Sequence, residues 1–171
     1  VVVAGTSGSG KSTLARQIAR TLAITYFEID SLYHGPDWTP KATFMTAVNA
    51  KIAEPAWVTE WQYAQVRDAL ADRADLLVWL DLPRHVVMRG VIGRTVRRSV
   101  LREDLWNGNR EPPLRTIFSD RDHIIRWAWR THRDSPNRVS ACVAERPALS
   151  AVALRSRREA AAWVAGPLAH A

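Results

Sequence analysis

The sequence predicts an α/β fold in which a parallel sheet carries helices on both faces. Three observations lead there. The β-branched run Val1-Val2-Val3-Ala4 gives way to a glycine-rich turn and then to an amphipathic helix. Short apolar runs alternate with segments of helical spacing along most of the chain. The run Asp75 to Leu82 is the clearest core strand and stops at Pro83.

Taken in order, Val1 to Ala4 reads as a buried strand and Ser12 to Leu22 as a helix. Leu14, Ala15, Ile18, Ala19 and Leu22 share one face of that helix. Ile24 to Ile29 reads as a second strand ending at Asp30, after which Gly35-Pro36-Asp37 and Pro40 break the chain. Thr43 to Ala53 has Phe44, Val48 and Ile52 at intervals of four, a helical pattern. Trp57-Val58-Thr59 reads as a short strand, Tyr63 to Arg73 as a helix, and Arg84 to about Leu101 as another. Asn107-Gly108-Asn109 and Pro112-Pro113 make 103–114 a loop or lid. Helical spacing resumes from Ile117 to Thr131. Ala151 to Leu154 is a last strand before a helix near Glu159 to Val164. The chain of 171 residues shows no repeat or second domain, so one domain over 1–171 is expected.

Composition narrows the class. Apolar residues are 47% and charged residues 24%, the balance of a globular chain, and no apolar run is long enough to span a bilayer. The early break at Gly5 argues against a signal peptide, and the missing initiator Met indicates a trimmed N-terminus. Cys142 is the only cysteine, which excludes an intrachain disulfide and argues against a Cys-based zinc site. A cytoplasmic protein is expected. The five histidines lack metal-ligand spacing. The net charge of +7 sits in one place: Arg84 to Arg133 holds twelve arginines against Glu103, Asp104, Glu111, Asp120 and Asp122. Such a segment can face bound phosphates, a nucleic-acid backbone or only solvent.

Gly5-Thr6-Ser7-Gly8-Ser9-Gly10-Lys11-Ser12 fits the pattern Gly-x4-Gly-Lys-[Ser/Thr], between a strand and a helix as a phosphate-binding P-loop requires. Glycines let backbone amides approach phosphate oxygens, and the helix start points its dipole at the same anion. Lys11 supplies a charge for the β- and γ-phosphates, and Ser12 a magnesium ligand. The expected nucleotide site is therefore Gly5, Ser7, Gly8, Ser9, Gly10, Lys11, Ser12 and Thr13, with ATP and Mg2+ as its ligands. Asp81 is a candidate partner of the metal, with a plain polar strand end as the alternative. Asp30 and Glu60 end two other expected strands, at the edge where open α/β sheets bind ligands. Trp57, Trp79 and Trp163 read as core. Trp38, Trp61 and Trp106 lie near turns and could line an acceptor pocket.

These residues resemble the adenylate-kinase-like P-loop proteins often labelled DNA topology modulation proteins. The resemblance rests on Gly5 to Arg16, Glu28-Ile29-Asp30, Leu32-Tyr33, Trp38, Trp57 to Glu60 with Tyr63, and Leu80 to Pro83. It continues through Arg94 to Arg98, Trp106 to Glu111 and Leu154-Arg155-Ser156. It implies a five-stranded parallel sheet, an ATP-binding core and an arginine-rich lid over roughly 94–120. Arg94, Arg97 and Arg98 would then neutralise charge during phosphoryl transfer. Adenylate kinases carry Asp-Gly and a nearby Pro-Arg where this chain has Glu60-Trp61-Gln62-Tyr63, so their AMP grip does not carry over. The expectation is a kinase moving the γ-phosphoryl of ATP to a small acceptor, with Lys11 and the three arginines in the transfer. Asp30 would act on an acceptor hydroxyl, with Glu60 as the alternative, and Arg67 would serve a phosphate acceptor. Two rival readings are a nucleotide-dependent nucleic-acid-binding protein and an ATP-binding regulator without transferase activity.

Overall fold

In the computed structural model, residues 1–101, 103–109, 116 and 123–170 are described. Five parallel strands form one sheet: β1 (Val2–Ala4), β2 (Thr25–Tyr26), β3 (Trp57–Glu60), β4 (Leu76–Leu80) and β5 (Ser150–Leu154), in the order β2-β3-β1-β4-β5. The helices are α1 (Lys11–Leu22), α2 (Ile29–Tyr33), α3 (Phe44–Ile52), α4 (Ala64–Arg73), α5 (Arg84–Leu101), α6 (Ile124–Thr131), α7 (Asp134–Ala144) and α8 (Arg157–Ala165). The central strand β1 pairs Val2 with Thr59 on one side and with Leu77 on the other.

Alternation along the strands divides the core into two layers. Val2, Ala4, Trp57 and Leu77 pack against α3, α4 and α7 through Phe44, Val48, Leu70, Val139 and Cys142. Val3, Val58, Val78, Leu80 and Leu154 pack against Leu14, Ala15 and Ile18 of α1 and Val87 of α5. The central strand β1 is buried on both faces, which is why its sequence is wholly apolar. No helix among the described residues is long and apolar enough to cross a membrane.

The structure corrects three expectations. The strand expected over 24–29 is only Thr25–Tyr26, and Asp30 lies in the short helix α2 instead of at a strand end. Phe27 makes the last ladder bond, to Val58 O at 3.2 Å. Two residues on, the Ile29 amide donates to the Glu60 side chain at 3.3 Å. A carboxylate replaces the carbonyl partner there, so the chain leaves the sheet. The strand expected over 75–82 is Leu76–Leu80; the Asp81 amide donates to Leu154 O as the chain exits. Helix α7 is an addition: Pro136 sits in its first turn, where a missing amide costs nothing.

Of the helix expected over 117–131, Ile124–Thr131 is seen, capped by the His123 ring, which accepts from the Ile125 amide. Residues 117–122 lie outside the described residues. The first part of the expected lid, Arg94 to Leu101, is the end of α5, and 103–109 contain a tight turn at Trp106–Gly108. The rest of that segment, except 116, falls outside the described residues.

Candidate active site

The sheet order places a crevice at the carboxyl ends of β1 and β3. The chain leaves β1 toward one edge and later crosses back to β4 on the other side, making this the switch point of the sheet. The P-loop emerges from β1 at that point. Gly10 holds a left-handed conformation, φ 99°, and its carbonyl accepts the first bond of α1 from Leu14 at 3.0 Å. The first amides of α1 thus face away from the helix and toward the crevice, where an anion can satisfy them. Gly8 is needed for another reason. A Cβ there would lie 2.7 Å from Val91 on α5, and a Cβ on Gly90 would collide with the Gly8 carbonyl. Loop and helix touch through two glycines.

Lys11 Nζ donates to the Thr6 carbonyl at 3.3 Å. Burial pulls the Lys11 ammonium below its ordinary pKa, partly opposed by the charges of Asp30 and Glu60 and reinforced by Arg94. Ser9 Oγ is buried without a hydrogen-bond partner. An enclosed cation, an orphaned hydroxyl and a loop with no room for side chains at its contact with α5 fit a bound phosphate chain. Magnesium is held chiefly by phosphate oxygens and water and needs few protein ligands, so a first-turn hydroxyl such as Ser12, the ligand expected from the sequence, is compatible with it. Among the described residues no group of three His, Cys, Asp or Glu is placed to hold a metal alone.

From β3 and α2 comes the other wall. Asp30 accepts two hydrogen bonds on Oδ1, from Gln62 Nε2 at 2.5 Å and from Tyr63 Oη at 2.6 Å. The Tyr63 hydroxyl is also 3.1 Å from His34 Nε2. Burial raises the pKa of the Tyr63 hydroxyl and the Asp30 charge raises it further, so the phenol keeps its proton and donates. Both bonds fall on one carboxylate oxygen, leaving Oδ2 for another partner. Tyr63 has φ 63° at the junction of β3 and α4, a strained conformation for a non-glycine residue.

A cavity of about 660 Å³ joins these walls. Gly5, Ser7, Lys11, Asp30, Arg94 and Arg98 line it, so the structure gathers these expected site residues around one space. Arg94 Nη2 donates to Ser7 Oγ at 3.3 Å, tying α5 to the P-loop. Arg98 lies over the Trp106 ring, 5.9 Å from its centroid. Trp38, Trp61 and Trp106 line the cavity, as does Arg67. Gly8, Ser9, Gly10, Ser12 and Thr13 form the loop and helix start beside it.

Three expected residues stand apart. Glu60 is 1% exposed and accepts from Tyr26 Oη at 2.8 Å and the Ile29 amide, so it anchors α2 and does not line the cavity. Arg97 is 69% exposed and pairs with Glu103 at 3.0 Å. Asp81 follows β4, on the far side of β1 from the crevice; its carboxylate is 3.9 Å from Arg155, and it does not line the cavity. Sequence reasoning missed Gln62, Tyr63, His34, Trp127 and Arg138 as lining residues. Tyr63 stood out as part of the family resemblance and of the departure from the adenylate-kinase pattern, with no role assigned to it.

Two solved structures are similar to this chain in fold. A gluconokinase from Sinorhizobium meliloti is 22% identical, with 99% of this chain and 92% of that one aligned at a TM-score of 0.53. A sugar kinase from a Janibacter species is 20% identical, covering 98% and 90% at a TM-score of 0.50. The chain has the P-loop kinase fold. No protein-family model matches the sequence, and no curated protein matches it. The narrower likeness to DNA topology modulation proteins finds no support in these comparisons.

Proposed function

We propose that this protein is an ATP-dependent kinase that phosphorylates a hydroxyl of a small molecule held in the cavity. One observation carries the reading: the P-loop opens into a cavity where Asp30 is the only carboxylate among the described lining residues, and its charge acts on Lys11. The gluconokinase and sugar-kinase neighbours support transfer to a small hydroxyl compound. They favour a sugar-like acceptor over the nucleotide that a close adenylate-kinase likeness would imply.

In this reading the amides of Gly8 to Thr13 and the Lys11 ammonium bind the phosphates. Ser12 would help to hold magnesium, which would supply charge neutralisation for the nucleotide phosphates. Tyr63 and Gln62 fix Asp30 so that Oδ2 meets the acceptor hydroxyl. The hydroxyl oxygen attacks the γ-phosphorus, the bond to the β–γ bridging oxygen breaks, and ADP leaves. The hydroxyl proton passes to Asp30. Arg94 and Arg98 face the charge that spreads over the moving phosphoryl group. Arg97 and Asp81 have no part in these steps. A cytoplasmic setting, where ATP is plentiful, belongs to the same proposal.

Lys11→Ala tests it most directly. The variant should fold, and its stabilisation by Mg-ATP in a thermal melt should be largely lost, since stabilisation follows ligand concentration over Kd. The parent should release ADP only when a suitable alcohol is added. Full stabilisation of the variant, or binding of ATP with no turnover against a broad alcohol panel, would sink the proposal.

A further inference from the structure

The cavity holds more positive charge than the transfer of a phosphoryl group uses. Lys11, Arg94 and Arg98 stand near the P-loop and α5, where the nucleotide phosphates belong. Arg67 and Arg138 line the same cavity from α4 and α7. Among the described residues that line the cavity, neither is matched by an acid. Asp68, next to Arg67 in the chain, is 81% exposed on its side chain and pairs with Arg146 at 3.1 Å. Asp30 is engaged by Gln62 and Tyr63.

Arg67 is built into its wall. Its guanidinium lies 5.7 Å from the Trp61 ring centroid, and the Trp61 indole N–H donates to the Arg67 carbonyl at 3.0 Å. Arg67 Nε is buried without a hydrogen-bond partner. Arg138 is steadied by the carbonyls of Asp134 and Thr131, each at 3.3 Å. Burial lowers the Arg67 pKa and the Arg138 charge lowers it further, partly opposed by the charge of Asp68. Two like charges lining one cavity oppose each other, and an anion between them relieves that repulsion.

We propose that the acceptor is an organic anion whose carboxylate or phosphate is gripped by Arg67 and Arg138 while its hydroxyl meets Asp30. The inference rests on the kinase reading for the hydroxyl's fate, but the anion grip stands on its own geometry. Trp61, Tyr63 and Trp127 line the same cavity, giving the carbon skeleton an apolar wall. Guanidinium forks suit either planar carboxylate or phosphate oxygens.

Matched acid and neutral probes test this. Binding is followed by thermal shift and calorimetry, and ADP release by a coupled assay, with Mg-ATP present. D-gluconate is set against D-glucose, and a nucleoside monophosphate against its nucleoside, with inorganic phosphate as a bare anion. An acid should bind and its neutral partner should not; which pair responds separates carboxylate from phosphate. Arg67→Met keeps the stem against Trp61 and should weaken the acid by roughly tenfold or more while leaving Mg-ATP affinity within about twofold. Arg138→Met should act in the same direction. Equal binding or turnover of the neutral partner would overturn the inference. So would an acid affinity indifferent to Arg67, or no Arg67-dependent binding of any carboxylate or phosphate probe at millimolar concentration. Arg67-dependent acid binding without ADP release leaves the anion site standing and removes the kinase proposal. ADP release with a neutral alcohol does the reverse.

Discussion

The two halves of the cavity are built differently. The nucleotide half is one continuous stretch, Gly5 to Thr13, whose binding groups are largely backbone amides set by a turn and a helix start. The acceptor half comes from α2, α4 with its junction to β3, the turn at 106–108, and helices α6 and α7, and it works through side chains. Backbone amides recognise any phosphate chain, so that half has little to vary. Side chains drawn from five segments can change one at a time, and they set which acceptor enters. The chemistry of transfer is therefore general here, and selectivity sits in the dispersed half.

The sharpest test of this division is Asp30→Asn. Turnover should fall by about 10²–10⁴-fold, the usual worth of a positioned base, with ATP affinity nearly unchanged. An equal loss of ATP affinity would place Asp30 in the nucleotide half. Next in size is Gly90→Ala, whose Cβ collides with the Gly8 carbonyl and must push α5 off the P-loop. Overpacking of this kind costs about 1–3 kcal/mol, so both the melting temperature and ATP affinity should drop. Gly93→Ala, one turn along the same helix, has nothing within 4 Å of its Cβ and should stabilise by about 0.5–1 kcal/mol. If the two variants behave alike, the loop–helix contact is not what positions the phosphates.

A smaller effect separates the halves by pH. Burial holds the Lys11 pKa down in the free protein, and an arriving phosphate raises it. ATP binding must then take up protons between the lowered free value and the higher bound value, and affinity must weaken as pH rises through the free value. Calorimetry in two alkaline buffers of different ionisation enthalpy, above the range where ATP itself titrates, reads that uptake. Affinity that is flat or strengthens over the range contradicts the burial of Lys11. The smallest effect belongs to Asp81→Asn. Its carboxylate meets a mostly exposed Arg155 at 3.9 Å, so turnover and magnesium dependence should change by less than about threefold. A large rise in the magnesium requirement would restore Asp81 to the metal site.

What the sequence disclosed follows the same division. β1, the P-loop and α1 are local patterns, and β4 is a dense apolar run, so all were legible. The β2 strand was overestimated because its end is set by Glu60, thirty-one residues beyond Ile29 in the chain. That carboxylate's bond to an amide leaves no mark in the local pattern. Helix α7 buries only Val139 and Cys142, too few apolar positions to announce a periodic face. Two acids singled out as expected strand ends do not line the cavity, for a similar reason. Asp81 follows β4 and Glu60 closes β3, yet one lies across β1 from the crevice and the other turns inward beneath α2. Arg138 had no signal beyond its charge, since only the fold brings it opposite Arg67.

The central place of β1 bears on how the chain comes together during synthesis. β1 leaves the ribosome before either of its neighbours, and its partners are residues 59–60 and 77–79. Three residues of unpaired strand have nothing to hold them, so the glycine turn that follows has no fixed base until the nascent chain has grown past residue 80. Joining strands so far apart carries a loop-closure cost that local helices escape, and it slows folding. Through that interval Val2, Val3 and Ala4 are an uncovered apolar segment, open to wrong pairing with other chains. Once β3 and β4 close on either side, that hazard ends and the phosphate loop takes shape in the same step.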